Sequence, residues 1–85
     1  MNWNPRIANR ARKALERFPA KDRRLLLSAL EEMRTDPFSG KIKRLKSERS
    51  AFRRRVGNYR IFFDVDLDSF VVDIADIVRR TSTTY

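Results

Sequence analysis

Four arginines stand near the middle of this chain at spacings that could hold an anion. They belong to the stretch AFRRRVGNYRIFFDVD, residues 51–66, which reads as a β-hairpin with Gly57-Asn58 as its turn. Glycine at the first turn position favours a type II′ turn, because glycine takes the required positive φ without strain. In that register Arg55 lies opposite Arg60, and like charges directly opposite each other destabilise a sheet. We therefore expect this pair to bind an anion.

Side chains alternate between the two faces of a sheet, and this alternation sorts the hairpin residues. The residues predicted to face the core are Phe52, Val56, Tyr59, Ile61, Phe63 and Val65. The residues predicted on the opposite face are Arg53, Arg55, Arg60 and Phe62. Arg54 is the exception, because this register turns it towards the core. Its guanidinium must reach out at an edge of the sheet, or the strand must contain a bulge.

The composition limits the reactions in which these arginines could take part. A length of 85 residues predicts one small domain, spanning residues 1–85, with a thin core. The chain has no cysteine, which excludes disulfides and thiolate chemistry. It has no histidine, and so lacks the commonest general acid–base group and metal ligand. We expect no cofactor and no metal.

The net charge is +9, and the charge is unevenly distributed along the chain. Residues 41–60 hold nine basic residues and one acid, whereas residues 61–78 hold five aspartates and no basic residue. A strongly positive side points to nucleic acid, an anionic membrane surface or an acidic protein as partner. No apolar run approaches the roughly 20 residues of a membrane span, and the N-terminus lacks the apolar core of a signal peptide. We expect a cytoplasmic protein without a membrane partner.

Two helices are predicted before the hairpin. The first begins with Asn4 as N-cap and Pro5 at the first helical position. It ends at Phe18, because the residue before a proline leaves the α region. The second helix covers residues 21–34, and its apolar stripe consists of Leu26, Ala29, Leu30 and Met33. A DNA-reading helix-turn-helix would need a third helix and base-reading side chains, whereas the second helix is mostly leucine.

Strands are predicted on both sides of the hairpin. Residues 41–46 could form a short basic strand, whose Lys43 and Lys46 we expect to help bind a substrate. Residues 70–78 form a strand that pairs with the second hairpin strand through a turn at Leu67-Asp68. The element order predicts the α+β class, with two N-terminal helices packed on one face of a small, mainly antiparallel sheet. The arginine-bearing face is left open.

The register of the last strand decides which of its charged residues meet the arginines. Asp73 falls diagonal to Arg60, either to neutralise it or to orient it for a ligand. Alternation places Arg79 on the face of Arg60 and turns Arg80 away. Tyr85 follows this pair at the end of the chain. The predicted cross-strand pairs are Val65–Phe70, Phe63–Val72 and Ile61–Ile74.

Two segments resemble a known family. The stretch LKSERSAFRRRVGNYRIFFDVD, residues 45–66, resembles the central motif of the RelE/ParE superfamily, the toxins of bacterial and archaeal toxin–antitoxin modules. The closing DIVRRTSTTY, residues 76–85, is similar to that family's basic pair, spacer and tyrosine. The resemblance covers residues 5–85 and implies the same α+β fold. The usual first strand before the first helix is nearly missing, since only residues 1–4 remain for it.

The resemblance implies a reaction, in which RelE-like members cut mRNA in the ribosomal A site by attack of the 2′-hydroxyl on the adjacent phosphate. It implies that Arg60 stabilises the transition state, and that Arg53 and Arg55 match two basic positions acting as base and phosphate clamp. Arg79, or failing it Arg80, matches the arginine near the leaving group, and Tyr85 the tyrosine that stacks on or orients a base. The substrate-binding residues would be Arg80, Lys43, Lys46 and Phe62. The implied partners are the ribosome, mRNA and an acidic antitoxin that wraps the basic face and pairs with a sheet edge.

One departure from the family concerns the base, since Arg53 and Arg55 stand where lysines are frequent. Arginine is neutral only about one time in a million near pH 7, so it abstracts protons poorly. The base is therefore unidentified. Tyr85 with a pKa lowered by the arginines is one candidate, and catalysis by charge and positioning alone is the other.

Two other functions fit the same sequence. A ParE-like protein would have this fold and poison DNA gyrase without cutting RNA. A non-catalytic RNA-binding module would keep only the basic surface, and its RNA binding would fall steeply with salt.

Overall fold

A computed structural model describes residues 2–46 and 50–80. Five strands form one sheet in the order β1-β5-β4-β3-β2, antiparallel except for the parallel β1–β5 pair. The predicted α+β class, with two helices on one face of a mainly antiparallel sheet, is confirmed. The elements are β1 (Asn4–Ile7), α1 (Asn9–Arg17), α2 (Ala20–Thr35), β2 (Lys41–Arg44), β3 (Phe52–Val56), β4 (Tyr59–Asp66) and β5 (Val71–Arg79).

The first element is a strand, so the helix start predicted at Asn4 and Pro5 is wrong. These residues belong to β1, which pairs in parallel with β5 and forms one edge of the sheet. Proline is tolerated in an edge strand, because its missing N–H can face away from the ladder. The backbone is still extended at Ala8, and α1 begins at Asn9. The first strand of the fold is therefore present.

The helices supply one side of the core. α1 ends at Phe18 before the proline, as predicted. The predicted apolar stripe of α2 is buried against the sheet, together with Ala11 and Leu15 of α1. The sheet contributes Ile61, Phe63 and Ile74, none of which is exposed to solvent. No helix among the described residues is long and apolar enough to cross a bilayer.

The β3–β4 hairpin has the predicted register. Val56 pairs with Tyr59 across the turn, and Arg55 lies opposite Arg60. Gly57 has φ +57° and Asn58 does not have a positive φ, which fits a type II′ turn.

Arg54 lies on the helix side of the sheet, but neither predicted outcome holds, because its side chain is buried against α2 and β3 pairs with both neighbours without a bulge. Its Nη1 donates to the carbonyl of Ala29 at 3.1 Å, and its Nη2 to the carboxylate of Glu32. Glu32 supplies the negative charge of this ion pair from α2. Gly40 packs on the guanidinium, where an added Cβ would lie 2.8 Å from Nε of Arg54. The Gly40 φ of +84° also favours glycine there.

The β4–β5 register differs from the predicted one for two reasons. First, the connection between β4 and β5 runs over residues 67–70 and is longer than the predicted two-residue turn. Within it, Oδ1 of Asp66 accepts hydrogen bonds from the backbone N–H groups of Asp68 and Ser69 at 3.0 and 3.3 Å. Phe70 leaves the turn with φ +57° and precedes the strand. Second, a β-bulge places Ala75 without a partner. The observed pairs are Val65–Val72, Phe63–Ile74, Phe62–Asp76 and Ile61–Ile77.

Candidate active site

The sheet face turned away from the helices, here called the open face, carries most of the hairpin's positive charge. Cross-strand pairing aligns its side chains in two rows that run from the β2 edge towards β5. The first row is Lys41, Arg55, Arg60 and Val78. The second row is Lys43, Arg53, Phe62 and Asp76.

A cavity of about 680 Å³ opens over these rows. Its basic groups come from separate parts of the fold: Arg10 from α1, Arg53 from β3, Arg60 from β4 and Arg80 from the residue that follows β5. We call it the arginine cavity. Its other lining residues are Phe62, Asp76, Leu45, Ser50, Ala75 and Val78.

Arg60 lies in a crowded electrostatic environment formed by other arginines. Burial lowers the pKa of Arg60, and the like charges of Arg53, Arg80 and Arg55 lower the pKa further. Each of these causes makes the charged guanidinium costlier than it would be in water. An anion placed between the arginines would offset that cost, because it supplies the missing opposite charge.

The prediction that Arg79 shares the face of Arg60 is wrong, and Arg80 takes that place. Tyr59 faces the helices and pairs with Arg79, whereas Arg60 pairs with Val78. The bulge at Ala75 shifts the alternation by one residue, which exchanges the faces of all later residues. The backbone N–H of Arg80 donates to the carbonyl of Asn58 at 2.6 Å and ties the residue to the hairpin turn.

The predicted neighbour of Arg60, Asp73, is likewise replaced by another aspartate. Asp73 lies opposite Asp64 and pairs with Arg6, 3.9 Å away. Asp76 lies diagonal to Arg60, since it pairs with Phe62 two residues further along β4. Neither reading of Asp73 as a partner of Arg60 therefore holds.

Asp76 and Arg10 are the charged cavity residues that sequence reasoning missed. Oδ1 of Asp76 accepts a hydrogen bond from the backbone N–H of Ile77 at 2.9 Å, and Oδ2 lies 3.9 Å from Nη1 of Arg10. A signal was available in the apolar spacing of β5. Val72 and Ile74 alternate, but the next core residue, Ile77, comes three positions later, and a bulge accounts for that step.

The other predicted site residues occupy different surroundings. Arg55 and Lys43 are exposed on the open face, and Lys46 is exposed beyond the end of β2. Phe62 is half-buried and lines the cavity. Tyr85 lies outside the described residues.

The cavity combines groups that suit a nucleotide. Guanidinium groups bind phosphate oxygens through pairs of parallel hydrogen bonds. An aromatic ring such as that of Phe62 can stack on a base irrespective of sequence. The sheet thus places guanidinium groups and an aromatic residue side by side.

Comparison with known proteins gives consistent matches. The family model for the ParE toxin of the type II toxin–antitoxin system parDE matches residues 3–83. A protein of Methanocaldococcus jannaschii assigned as toxin RelE1 is 30% identical over 83 residues, which cover 94% of this chain and 92% of the relative.

Solved structures share the fold. The RelBE2 toxin–antitoxin complex of Mycobacterium tuberculosis matches with a TM-score of 0.82 and 23% identity over 94% of this chain and 100% of the other. The archaeal RelE–RelB complex of Pyrococcus horikoshii matches with a TM-score of 0.82 and 22% identity over 98% of this chain and 100% of the other. Because the family model spans nearly all of the sequence, this chain belongs to the RelE/ParE family of toxins of type II toxin–antitoxin systems.

Proposed function

We propose that this toxin cuts mRNA on the ribosome, through attack of a ribose 2′-hydroxyl on the adjacent phosphate. The observation that carries the proposal is the arginine cavity, where Arg53, Arg60 and Arg80 meet beside Phe62. One nucleotide in this cavity would have its phosphate held by guanidinium groups and its base stacked on the ring. The net charge of +9 would favour its association with ribosomal RNA.

The reaction depends on positive charge around the phosphate more than on covalent catalysis by the protein. As the 2′-oxygen attacks, negative charge builds up on the equatorial oxygens of the phosphorane, and preorganised donors stabilise that charge strongly. We assign this role to Arg60, with Arg53 and Arg55 clamping the phosphate. Arg80 replaces Arg79 as the group beside the leaving 5′-oxygen. The role of Tyr85 in orienting a base stays a prediction.

The electrostatics of the cavity support an anionic ligand. The pKa of Arg60 is lowered by burial and then by Arg53, Arg80 and Arg55, so like charges repel one another around this residue. A bound phosphate relieves that repulsion, and the phosphorane, with one more negative charge, relieves more of it. This difference between ground state and transition state is what accelerates the reaction.

The antitoxin partner is proposed from the edge of the sheet and from the neighbours. β2 pairs with β3 on one side and ends the sheet on the other, so its outer edge can accept another strand. Lys41, Lys43 and Arg44 make this edge basic and suited to an acidic segment. The M. tuberculosis and P. horikoshii neighbours were solved in complex with an antitoxin. We place the protein in the cytoplasm, where ribosomes and mRNA are found.

The proposal is tested by mapping mRNA cleavage in a translating extract by primer extension. The wild-type protein should cut ribosome-bound mRNA and spare the same RNA without ribosomes. Arg60→Ala should lower the cleavage rate about 10²–10³-fold, the usual effect of losing a transition-state donor. Arg24→Ala, which removes an exposed arginine of α2, is the matched control and should cut normally. Equal activity of the two variants would contradict the proposal.

Inhibition of DNA gyrase is the second candidate, because the matching family model is that of the ParE toxin. It predicts that the purified protein blocks supercoiling by gyrase and leaves translated mRNA intact. A supercoiling assay run beside the primer-extension assay separates the two functions.

A further inference from the structure

We propose that Asp76 is the group that takes the proton from the attacking 2′-hydroxyl. The proposal rests on the function proposed above and supplies the base that the arginines cannot be. Four of the residues lining the cavity are arginines. Arginine stays protonated near pH 7, so it cannot accept a proton from a hydroxyl. Within the described part of the chain, Asp76 is the only acidic residue in that lining.

The position of Asp76 fits a base acting beside Arg60. It lies directly opposite Phe62 and diagonal to Arg60, a relation that separates the two Cα atoms by about 7–8 Å. Both residues line the arginine cavity, so a ribose and its phosphate bound there would lie beside the carboxylate and the guanidinium together. In this arrangement the base of the nucleotide would stack on Phe62, Arg60 would hold its phosphate, and Asp76 would lie beside its ribose.

The contacts of Asp76 fix its direction and leave one oxygen available. The backbone N–H of Ile77 donates to Oδ1 at 2.9 Å, which holds the carboxylate in place. Oδ2 has an ionic contact with Arg10 at 3.9 Å, too long for a direct hydrogen bond. The side chain is 22% exposed, so a ligand in the cavity can reach it. Arg10 also steadies the carboxylate from the side of α1.

The 2′-O–H transfers its proton to Oδ2 of Asp76 as the 2′-oxygen forms a bond to phosphorus. The bond between phosphorus and the 5′-oxygen breaks, and that oxygen leaves with its electron pair and takes a proton from water. The products are a 2′,3′-cyclic phosphate and a free 5′-hydroxyl. Asp76 then returns its proton to the hydroxide left by that water, so no other reactant is consumed.

The sharpest variant is Asp76→Asn, because the amide oxygen can still accept the hydrogen bond from Ile77. Its single-turnover cleavage of ribosome-bound mRNA should fall by about 10²–10⁴-fold, the range for loss of a general base. Binding to programmed ribosomes and the thermal midpoint should stay near those of the wild type. The matched control is Asp73→Asn, which removes the same charge from the same strand beside Arg6 and should cut within about twofold of wild type.

Chemical rescue separates a proton acceptor from a structural role. Asp76→Ala leaves space in the cavity, and added formate should restore cleavage in proportion to its concentration, while sodium chloride at equal ionic strength should not. Formate should not raise the lowered cleavage rate of Arg60→Ala, since that variant lacks a phosphate-binding group and not the base.

Each outcome decides the proposal. Normal cleavage by Asp76→Asn, or loss of cleavage that formate does not restore in Asp76→Ala, overturns the role of Asp76 and leaves the ribonuclease function standing. A wild-type protein that cuts no ribosome-bound mRNA overturns both proposals together. Slow cleavage by a folded Asp76→Asn, with rescue of Asp76→Ala by formate, establishes Asp76 as the base.

Discussion

The hydroxyl of Tyr59 donates a hydrogen bond of 2.6 Å to the carboxylate of Asp22, and this contact joins the arginine hairpin to α2. The ring of Tyr59 is buried and packs against Phe18 with centroids 4.7 Å apart. Tyr59→Phe keeps the ring and loses the bond, so the free energy of unfolding should fall by about 1.5 kcal/mol. Urea denaturation measures the change. An unchanged midpoint would show that the contact contributes nothing.

The same contact predicts how stability depends on alkaline pH. Burial raises the pKa of Tyr59, the hydrogen bond to Asp22 and its negative charge raise the pKa further, and Arg79 lowers it in part. Because the folded pKa exceeds the unfolded value near 10, the stability from this group is complete below about pH 10 and is lost as pH rises through the folded pKa. Urea titrations between pH 8 and 11 should show this loss in wild type and a flatter profile in Tyr59→Phe.

Because Glu32 pairs with the buried Arg54, its removal should lower the free energy of unfolding more than removal of a surface glutamate does. Glu32→Ala leaves the guanidinium of Arg54 with the carbonyl of Ala29 as its remaining described partner. We expect a loss of about 2 kcal/mol in the free energy of unfolding. The matched control is Glu31→Ala, whose partner Arg34 is exposed at 3.9 Å, with a cost below about 0.5 kcal/mol. Equal losses would contradict the described role of Arg54.

The crowding at Arg60 predicts opposite effects on stability and on activity. Arg60→Gln removes charge repulsion with Arg53, Arg80 and Arg55, so the free energy of unfolding at low salt should stay the same or rise. Cleavage should fall about 10²-fold or more. Added phosphate should raise the thermal midpoint of wild type more than that of the variant, since a ligand stabilises the state that binds it. A marked loss of stability in Arg60→Gln would argue that the residue has a structural role.

The bulge makes a prediction about the last two described arginines. Arg80 lines the cavity and contacts the hairpin turn, whereas Arg79 lies opposite Tyr59 on the helix side. Arg80→Ala should therefore lower single-turnover cleavage by at least about tenfold, and Arg79→Ala should leave it within about twofold. The reverse order would mean that Arg79, and not Arg80, faces the cavity, as regular alternation without a bulge predicts.

Local patterns predicted the parts of the fold that depend on neighbouring residues. The type II′ turn at Gly57-Asn58 fixed the β3–β4 register, and alternation then placed Arg53, Arg55 and Arg60 together. The apolar stripe of α2 was also correct, because helical spacing alone determines its buried face. The α+β class followed from the order of these elements.

The errors arose where two signals competed or where the pattern was irregular. Asn4 and Pro5 satisfy a helix start, but pairing with β5 draws them into a strand at the sheet edge. The turn after Asp66 is held by side-chain hydrogen bonds that allow more than two residues. The bulge at Ala75 then exchanged the faces of the residues that follow it, which hid Asp76 and favoured Arg79 over Arg80.

The most direct test of the ribonuclease function removes one oxygen from the substrate. An mRNA with a single 2′-deoxynucleotide at the mapped cleavage position is loaded on the ribosome and compared with the all-ribose mRNA. Wild-type protein should cut the all-ribose message to a 2′,3′-cyclic phosphate and should leave the deoxy-substituted bond intact. Cleavage of that bond at the normal rate would contradict attack by the 2′-hydroxyl, and with it the chemistry assigned to the arginine cavity.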